Sequence, residues 1–282
     1  MNTPVRPANR ERDFVLHDSE FSEIRELVKI HTGISLSEAK RELVYSRLVR
    51  RLRRLGMDNF GDYIELLRQA DEVELEEFAN AITTNLTAFF RENHHFEFLQ
   101  SGALPAIEKR GAAKRRLRIW SAGCSTGEEP YSIAMVLREE MQRFSGWDVK
   151  ILATDIDSQV LAHAQAGIYA ADRVERVPPK HARWFTSQGD GTFAVKPEVQ
   201  SLISFRQLNL MNPWPMRGHF DVIFCRNVVI YFDKPTQVEL FGRIAALQGA
   251  GDYLFVGHSE SLFKVCDKYE LIGKTAFTRL PG

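Results

Sequence analysis

The sequence predicts an α/β fold: a parallel sheet flanked by helices, preceded by a separate helical domain. Three observations carry this. The apolar pattern is helical up to about residue 100, then switches after Leu117 to short, nearly continuous apolar runs. Helical stretches separate those runs, as in a parallel sheet whose strands are buried on both faces. Four of the runs end in polar, ligand-capable residues, Asp155, Asn209, Asn227 and His258. Sheets of this class bind ligands beyond the carboxyl ends of their strands, where the strand order reverses.

In chain order, SEFSEIRELVKIHTG reads as a first helix, with Ser19 as N-cap, apolar residues at Phe21, Ile24, Leu27 and Val28, and a stop at Gly33. SEAKRELVYSRLVRRLRRLG places Val44, Leu48, Leu52 and Leu55 on one face and stops at Gly56. Two more helical patterns follow in NFGDYIELLRQA and VELEEFANAITTNL. The strands expected next are LRIWSA (117–122), VKILATD (149–155), LISFRQLN (202–209), FDVIFCRN (220–227) and YLFVGH (253–258). YELIGKTAFTRL, two extended halves around Gly273-Lys274, reads as a closing hairpin. FTSQGDGTFAVKPEVQ (185–200) reads either as a small projecting hairpin or as a surface loop. The expected division is a helical domain over 1–90 and a sheet domain over 91–282, with 185–200 as a small β-subdomain insertion.

Bulk properties narrow the function classes. A chain of 282 residues with 44% hydrophobic and 26% charged residues is ordinary globular protein. No apolar run approaches the roughly 20 residues that span a bilayer, and MNTPVRPANRERDF has no apolar signal-peptide core. Cys124, Cys225 and Cys266 form no CxxC, which disfavours a disulfide framework or a zinc site. A cytoplasmic protein is expected, and nothing calls for more than a monomer. Lys plus Arg and Asp plus Glu both number 37, which argues against a globally basic nucleic-acid binder. The balance is locally uneven. Lys40 to Arg54 holds seven basic residues against Glu42 alone, and DEVELEE (71–77) follows with five acids.

WSAGCSTGEEPYS (120–132) has the most chemistry to explain. Gly123 and Gly127 followed by Pro130 make a strand-to-helix loop suited to close backbone approach. The stretch lacks G-x-G-x-x-G spacing, and Glu128 and Glu129 put negative charge where a pyrophosphate would need none. A nucleoside with a cationic tail suits that charge, with Asp155 placed to accept ribose hydroxyls. S-adenosylmethionine fits this description and NAD fits it poorly. Each Glu taken singly could equally be a solvated residue of the first helical turn.

TTNLTAFFRENHHF (83–96), WSAGCSTGEEPYSIA (120–134), ATDID (153–157), FDVIFCRNVVIYFD (220–233) and VGHSE (256–260) resemble, in this order, the motifs of CheR-type chemotaxis receptor methyltransferases. The resemblance runs from about residue 18 to the end. It implies a Rossmann-like S-adenosylmethionine-dependent methyltransferase sheet, a small N-terminal all-helical domain and a short β-hairpin insertion. It further implies S-adenosylmethionine as donor and S-adenosylhomocysteine as product, and the residue spacings above call for no metal. The implied acceptors are glutamate side chains of a chemoreceptor's cytoplasmic helical bundle, which become glutamate methyl esters. Carried over position by position, cofactor contacts fall on Asn85, Thr87, Arg91, Glu129, Asp155, Asn209, Leu210, Asn227 and Val228, beside Gly123 of the loop. Arg91 and Tyr231 fall on the active-site positions. The hairpin at 185–200 is short beside that of family members that dock a receptor's C-terminal peptide there.

A carboxylate acceptor, with a solution pKa of about 4.3, is already a nucleophile at neutral pH. No general base is needed, and alignment and exclusion of water are what remain to be supplied. Arg91 can orient the acceptor by a forked contact, with the Tyr231 hydroxyl as a second positioning group; Tyr231 and Phe232 could also be core aromatics. His94-His95 invites a metal reading that neighbouring helical positions disfavour. The run with Arg50, Arg51, Arg53 and Arg54 could be a solvated face, a nucleic-acid or membrane surface, or a docking face for an acidic helical bundle. Absent interleaved aromatics disfavour the second, and the last is preferred because chemoreceptor methylation regions resemble such a bundle. CRNVVIYF stands where an amine methyltransferase would carry D/N-P-P-Y/F.

Overall fold

A computed structural model describes residues 14–111 and 113–282, so most of the N-terminal stretch judged to lack a signal core lies outside the described residues. The chain forms two compact units, one ending at His31 and resuming over Leu36–Ile82, the other made of Thr32–Ser35 and Thr83–Gly282. The division therefore falls at Ile82–Thr83 rather than at 90. Thr83 and Asn85 bond by side chain to Asp157 in the sheet unit, and Phe89 and Phe90 lie in its core.

The first unit is helical throughout. Helix α1 (Asp18–Thr32) buries Phe21, Ile24 and Val28. It begins at Asp18, and Glu20 Oε2 accepts the His17 N–H at 2.8 Å, so Ser19 stands inside the first turn instead of capping it. Helix α2 (Arg41–Leu55) buries Val44, Leu48 and Leu52 and stops at Gly56, whose φ of 67° is left-handed. Helices α3 (Phe60–Gln69) and α4 (Glu72–Ile82) follow, α3 capped by the Asn59 side chain accepting the Asp62 N–H at 2.8 Å.

The second unit is a seven-stranded sheet. Helices α5 (His94–Phe98) and α6 (Leu104–Gly111), joined by a π-helical turn over Leu99–Ala103, lead into β1 (Arg116–Ala122). Then come α7 (Glu128–Glu139), β2 (Asp148–Asp155), α8 (Ser158–Ala166), β3 (Ile168–Ala170) and the short helices α9 (Ala171–Val174) and α10 (Pro179–Ala182). Strands β4 (Phe185–Ser187) and β5 (Thr192–Val195), α11 (Pro197–Gln200), β6 (Ile203–Gln207) and β7 (Val222–Cys225) continue the chain. Helix α12 (Lys234–Ala246), β8 (Tyr253–Val256), β9 (Tyr269–Gly273) and β10 (Ala276–Arg279) complete it.

The strand order is β6-β2-β1-β7-β8-β10-β9, parallel from β6 to β8 and antiparallel in the closing hairpin. The continuous apolar runs are explained by strand period. Leu117, Ile119, Val222, Phe224 and Phe255 join one core cluster, while Trp120, Ile223, Cys225, Leu254 and Val256 join another. The 185–200 segment is a hairpin, and β3 extends it to a small sheet of order β3-β5-β4. The chain lays β1, β2 and β6 outward in one direction and then returns to β7 beside β1. That reversal opens a crevice at the carboxyl ends of β1 and β7.

Candidate active site

The crevice is lined by the loops after β1, β2 and β7 and by the segment 83–93. After β1 the chain turns through Gly123 (φ 82°), with the Gly123 and Cys124 N–H groups both donating to the Thr154 carbonyl, at 2.8 and 2.9 Å. A side chain on Gly123 would bring its Cβ to 2.4 Å from Val228 Cγ2, and one on Gly127 would come to 2.8 Å from Ala164 Cβ and the Tyr169 hydroxyl. Packing inside the protein thus by itself demands both glycines.

Asp155 ends β2, buried. Its Oδ2 accepts the Ser125 N–H at 2.7 Å and its Oδ1 the Asp157 N–H at 3.1 Å. A carboxylate has about four lone-pair positions, so acceptor capacity remains on each oxygen. Burial raises the Asp155 carboxyl to about 6 against the pull of these backbone donors. Asp157, the N-cap of α8, accepts the Asn85 side-chain N–H and the Thr83 hydroxyl, both at 2.7 Å, on Oδ2. The Asn85 carbonyl accepts the Ser125 hydroxyl at 3.1 Å, which joins the 83–93 segment to the glycine loop. The Leu208 N–H donates to the Asp155 carbonyl at 2.8 Å, so Asn209 and Leu210 follow directly beside β2. Asn209 Oδ1 accepts the Met211 N–H at 2.9 Å, and the Thr87 carbonyl accepts Arg173 at 3.0 Å.

The glutamate pair differs from its sequence reading. Both side chains are buried, and both are met by arginines. Glu128 pairs with Arg173 and accepts the Thr126 hydroxyl at 2.6 Å. Glu129 accepts Ser121 Oγ at 2.7 Å and Arg226 at 3.0 Å. Burial raises the Glu129 carboxyl, and the Arg226 charge opposes it. Each glutamate of the pair therefore has an arginine partner inside the protein, and Glu129 shares its arginine with Glu92.

Arg226 is the residue the sequence reading missed. It follows directly on the apolar strand VIFC, and an arginine buried to 5% at that place needs internal partners. It pairs with Glu129, donates to the Arg91 carbonyl and lies 3.5 Å from Glu92. Glu92 accepts His258 Nδ1 at 2.9 Å. Burial alone would raise its carboxyl, but the His258 hydrogen bond and the Arg226 charge outweigh burial and hold it at about 2. His258 thus has a partner that its strand-end position did not reveal.

Glu260, in the VGHSE motif, was also missed. Its Oε2 accepts the N–H groups of Asn227 (2.8 Å) and Gly257 (2.5 Å), and its Oε1 those of Val229 (2.8 Å) and Ile230 (3.2 Å). One buried carboxylate therefore clamps the loop that carries Asn227, Val228 and Tyr231. Burial raises this carboxyl, and the four N–H donors oppose it. Tyr231 closes a 3-10 turn, Val229–Tyr231, half-buried, its carbonyl accepting the Ser35 N–H at 2.8 Å.

Arg91 is half-buried, and its guanidinium donates to the Leu86 carbonyl at 2.8 Å. Among the described residues it forms no ion pair within 4.0 Å. Phe90, Glu92, Ser125 and Asn227 have φ of 53°, 56°, 50° and 58°. Four non-glycine residues in the left-handed region at one crevice mark a backbone held by its surroundings, at about 1–3 kcal/mol each.

Arg50, Arg51, Arg53 and Arg54 lie on α2 in the other unit. Arg50, Arg53 and Arg54 are exposed. Arg51 is not part of an open face: it pairs with Glu74 and, at 3.0 Å, with Glu77 of α4.

A parallel sheet reversing at β1/β7, a glycine turn after β1 and a buried acid ending β2 together define an S-adenosylmethionine-dependent methyltransferase fold. The donor set suits that cosubstrate, since Asp155 keeps acceptor capacity for ribose hydroxyls. Two family models match: "CheR methyltransferase, SAM binding domain" over residues 85–278 and "CheR methyltransferase, all-alpha domain" over 19–83. The chain belongs to the CheR methyltransferase family. It is 48% identical to a probable chemotaxis protein methyltransferase of Rhizobium etli, over 81% of this chain and 87% of the relative. It is 44% identical to chemotaxis protein methyltransferase 2 of Pseudomonas aeruginosa, over 96% and 97%. It is 41% identical to the chemotaxis protein methyltransferase of Escherichia coli, over 93% and 91%. Among the described residues no helix is long and apolar enough to cross a membrane.

Proposed function

We propose that this chain methylates glutamate side chains on the cytoplasmic helical bundle of a chemoreceptor, in the cytoplasm, for adaptation in bacterial chemotaxis. The products are glutamate methyl esters and S-adenosylhomocysteine. The observation that carries the acceptor class is Arg91. This cation sits beside the crevice, ion-paired to no described carboxylate, while its backbone is fixed through the Arg226 contact to its carbonyl. A guanidinium so placed recognises a carboxylate in a forked geometry. The names of the relatives support the chemotaxis setting.

S-adenosylmethionine, when bound, supplies an electrophilic methyl group on a sulfonium sulfur. The protein's share is placement. Asp155 would accept the ribose hydroxyls, and Asn85, Thr87, Glu129, Asn209, Leu210, Asn227 and Val228 would line the cosubstrate. Arg91 would orient one acceptor oxygen for attack on the methyl group, and the Tyr231 hydroxyl would steady the other side. Gripping both oxygens equally would lower their nucleophilicity, so the Arg91 contact orients and does not neutralise. No proton moves, because the acceptor is ionised at neutral pH.

The test is to incubate the enzyme with methyl-labelled S-adenosylmethionine and a receptor cytoplasmic fragment, then add alkali. Label released as methanol is the expected result. Alkali-stable label would mean a nitrogen acceptor, and absence of transfer would mean a binding module; either overturns the proposal.

A further inference from the structure

Behind Arg91 lies a polar cluster whose Arg226 holds the Arg91 carbonyl. Glu92 Oε2, His95 Nδ1 and Arg226 Nε are buried and have no hydrogen-bond partner among the described residues. They are close together: Glu92 Oε2 lies 3.8 Å from His95 Nδ1 and 3.5 Å from a terminal nitrogen of Arg226. An unpaired buried polar atom costs about 1–3 kcal/mol, so three on side chains that meet one another call for a partner.

The chemistry of the three atoms specifies that partner. His95 Nε2 lies 3.0 Å from the Lys274 carbonyl and 3.0 Å from Thr275 Oγ1. A carbonyl only accepts, so Nε2 carries the ring hydrogen and Nδ1 presents a lone pair. Burial first, then the charge of Arg226, holds this imidazole neutral, its pKa lowered to about 3. The cluster thus offers two acceptors, Glu92 Oε2 and His95 Nδ1, and one donor, the Arg226 Nε–H.

We propose that this cluster binds one structural water, which donates to Glu92 Oε2 and His95 Nδ1 and accepts from Arg226 Nε–H. Buried waters typically make about three hydrogen bonds of this kind. A metal ion is the rival occupant, since ligand atoms of Glu92, His94 and His95 lie within 4.8 Å of one another. A cation there would face the Arg226 guanidinium and leave its N–H unsatisfied. The water satisfies all three atoms.

The site bears on the reaction through Arg91. Glu92 is its neighbour, Arg226 holds its carbonyl, and the left-handed φ angles of Phe90 and Glu92 flank it. Such backbone persists only where the surroundings over-determine it. The water ties Glu92 Oε2 to His95 and so, through Lys274 and Thr275, to the β9–β10 turn. His95 is therefore a positioning residue for Arg91.

The water site does not depend on which acceptor is methylated. A crystal structure of the full chain with S-adenosylhomocysteine, at a resolution that shows ordered water, tests it directly. One water within hydrogen-bond distance of all three atoms is expected, with no metal by anomalous scattering or mass spectrometry. A metal at coordination distances, or side chains bonding one another directly, overturns the proposal. His95→Phe tests the positioning role, because it keeps a ring against Phe255, whose centroid lies 5.2 Å away, and removes the acceptor. The expected loss is roughly tenfold in kcat on a receptor fragment, with the S-adenosylhomocysteine Kd by calorimetry changed less than about twofold. Unchanged kcat, or equal loss of kcat and of product affinity, overturns that role. If His95→Phe fails to fold, the crystal structure still decides on the water, and failure of the methanol assay would strike the acceptor proposal alone.

Discussion

The two units handle concentrated charge in opposite ways. Helix α2 carries a dense run of arginines, yet Arg51 is engaged by Glu74 and Glu77, and Arg41 by Asp18 at 2.9 Å. The acids that engage Arg51 come from the neighbouring acidic run, so the two blocks of the sequence partly cancel. What stays exposed is a thinner cationic face of Arg50, Arg53 and Arg54. In the sheet unit the crowded charges are acids, and the crevice compensates those on α7 while leaving others to backbone donors. Glu128 and Glu129 have arginine partners from distant segments; Asp155 and Glu260 are held by N–H groups. Runs of charge in a sequence therefore overstate what the folded molecule presents, in both signs.

The strongest way to break this comparison is to remove a compensating cation. Arg226→Ala leaves Glu129 buried and unpaired beside Glu92, and such a loss costs about 3–5 kcal/mol. Urea unfolding should show it, and Glu129→Ala should cost a similar amount. The double variant should cost clearly less than the two losses added. Strict additivity would mean that the two groups do not act as a pair.

Asp155 comes next, because it answers to no cation. Asp155→Ala removes charge-assisted acceptors for two ribose hydroxyls, about 3 kcal/mol together, and should weaken S-adenosylmethionine binding roughly 100-fold by calorimetry. The pH dependence follows from the raised pKa. Ribose hydroxyls need the ionised carboxylate, which prevails above about 6 and is lost below it. Affinity should therefore hold steady at neutral pH and fall as pH drops through about 6. A flat affinity from pH 5 to 8 in the wild type would remove Asp155 from this role.

A smaller effect is expected at the opposite ends of the strands, where His219 lies 2.9 Å from Asp252 and 3.7 Å from Asp221. The carboxylates of Asp221 and Asp252 beside it raise its pKa to about 9. Its folded pKa exceeds the unfolded value of about 6.5. The stabilisation is thus complete below about 6.5 and disappears as pH rises through about 9. Thermal melts should show the wild-type Tm declining over that window and His219→Gln declining less; parallel curves would refute the linkage.

Much of this architecture was legible because local pattern and fold agreed. The apolar runs became β1, β2, β6, β7 and β8, and Gly33 and Gly56 ended helices where glycine was expected to. The closing hairpin and the small hairpin at 185–200 both formed. What was not legible depends on distant partners. β3 is three residues long and exists only by pairing with β5. Nothing local in GEEPYS announces Arg173 or Arg226, and the role of Glu260 appears only when four separate N–H groups converge on it. The pull of Thr83 and Asn85 toward Asp157, which moved the unit boundary to Ile82–Thr83, is also a long-range bond. The two imidazoles of His94 and His95, expected to diverge on a helix, converge on the Lys274 carbonyl at 3.2 and 3.0 Å, because a hairpin turn crosses them.

The smallest expected effect lies on α2, and it sharpens the comparison most finely because neighbouring arginines should behave differently. Arg51 is about 11% exposed and bonded on both sides, so Arg51→Ala should lower Tm while leaving receptor KM nearly unchanged once the protein is folded. Arg50, Arg53 and Arg54 are exposed, and exposed charges contribute little to stability. Replacing these three by Ala should keep Tm within a few degrees and raise receptor KM roughly fivefold at low salt, with donor affinity unchanged. Added salt should shrink that difference, since an exposed cationic face meets an acidic bundle by screened attraction. If the triple variant and the wild type share one KM across the salt series, the face does not dock the acceptor, and the arginines of α2 serve only the helical unit itself.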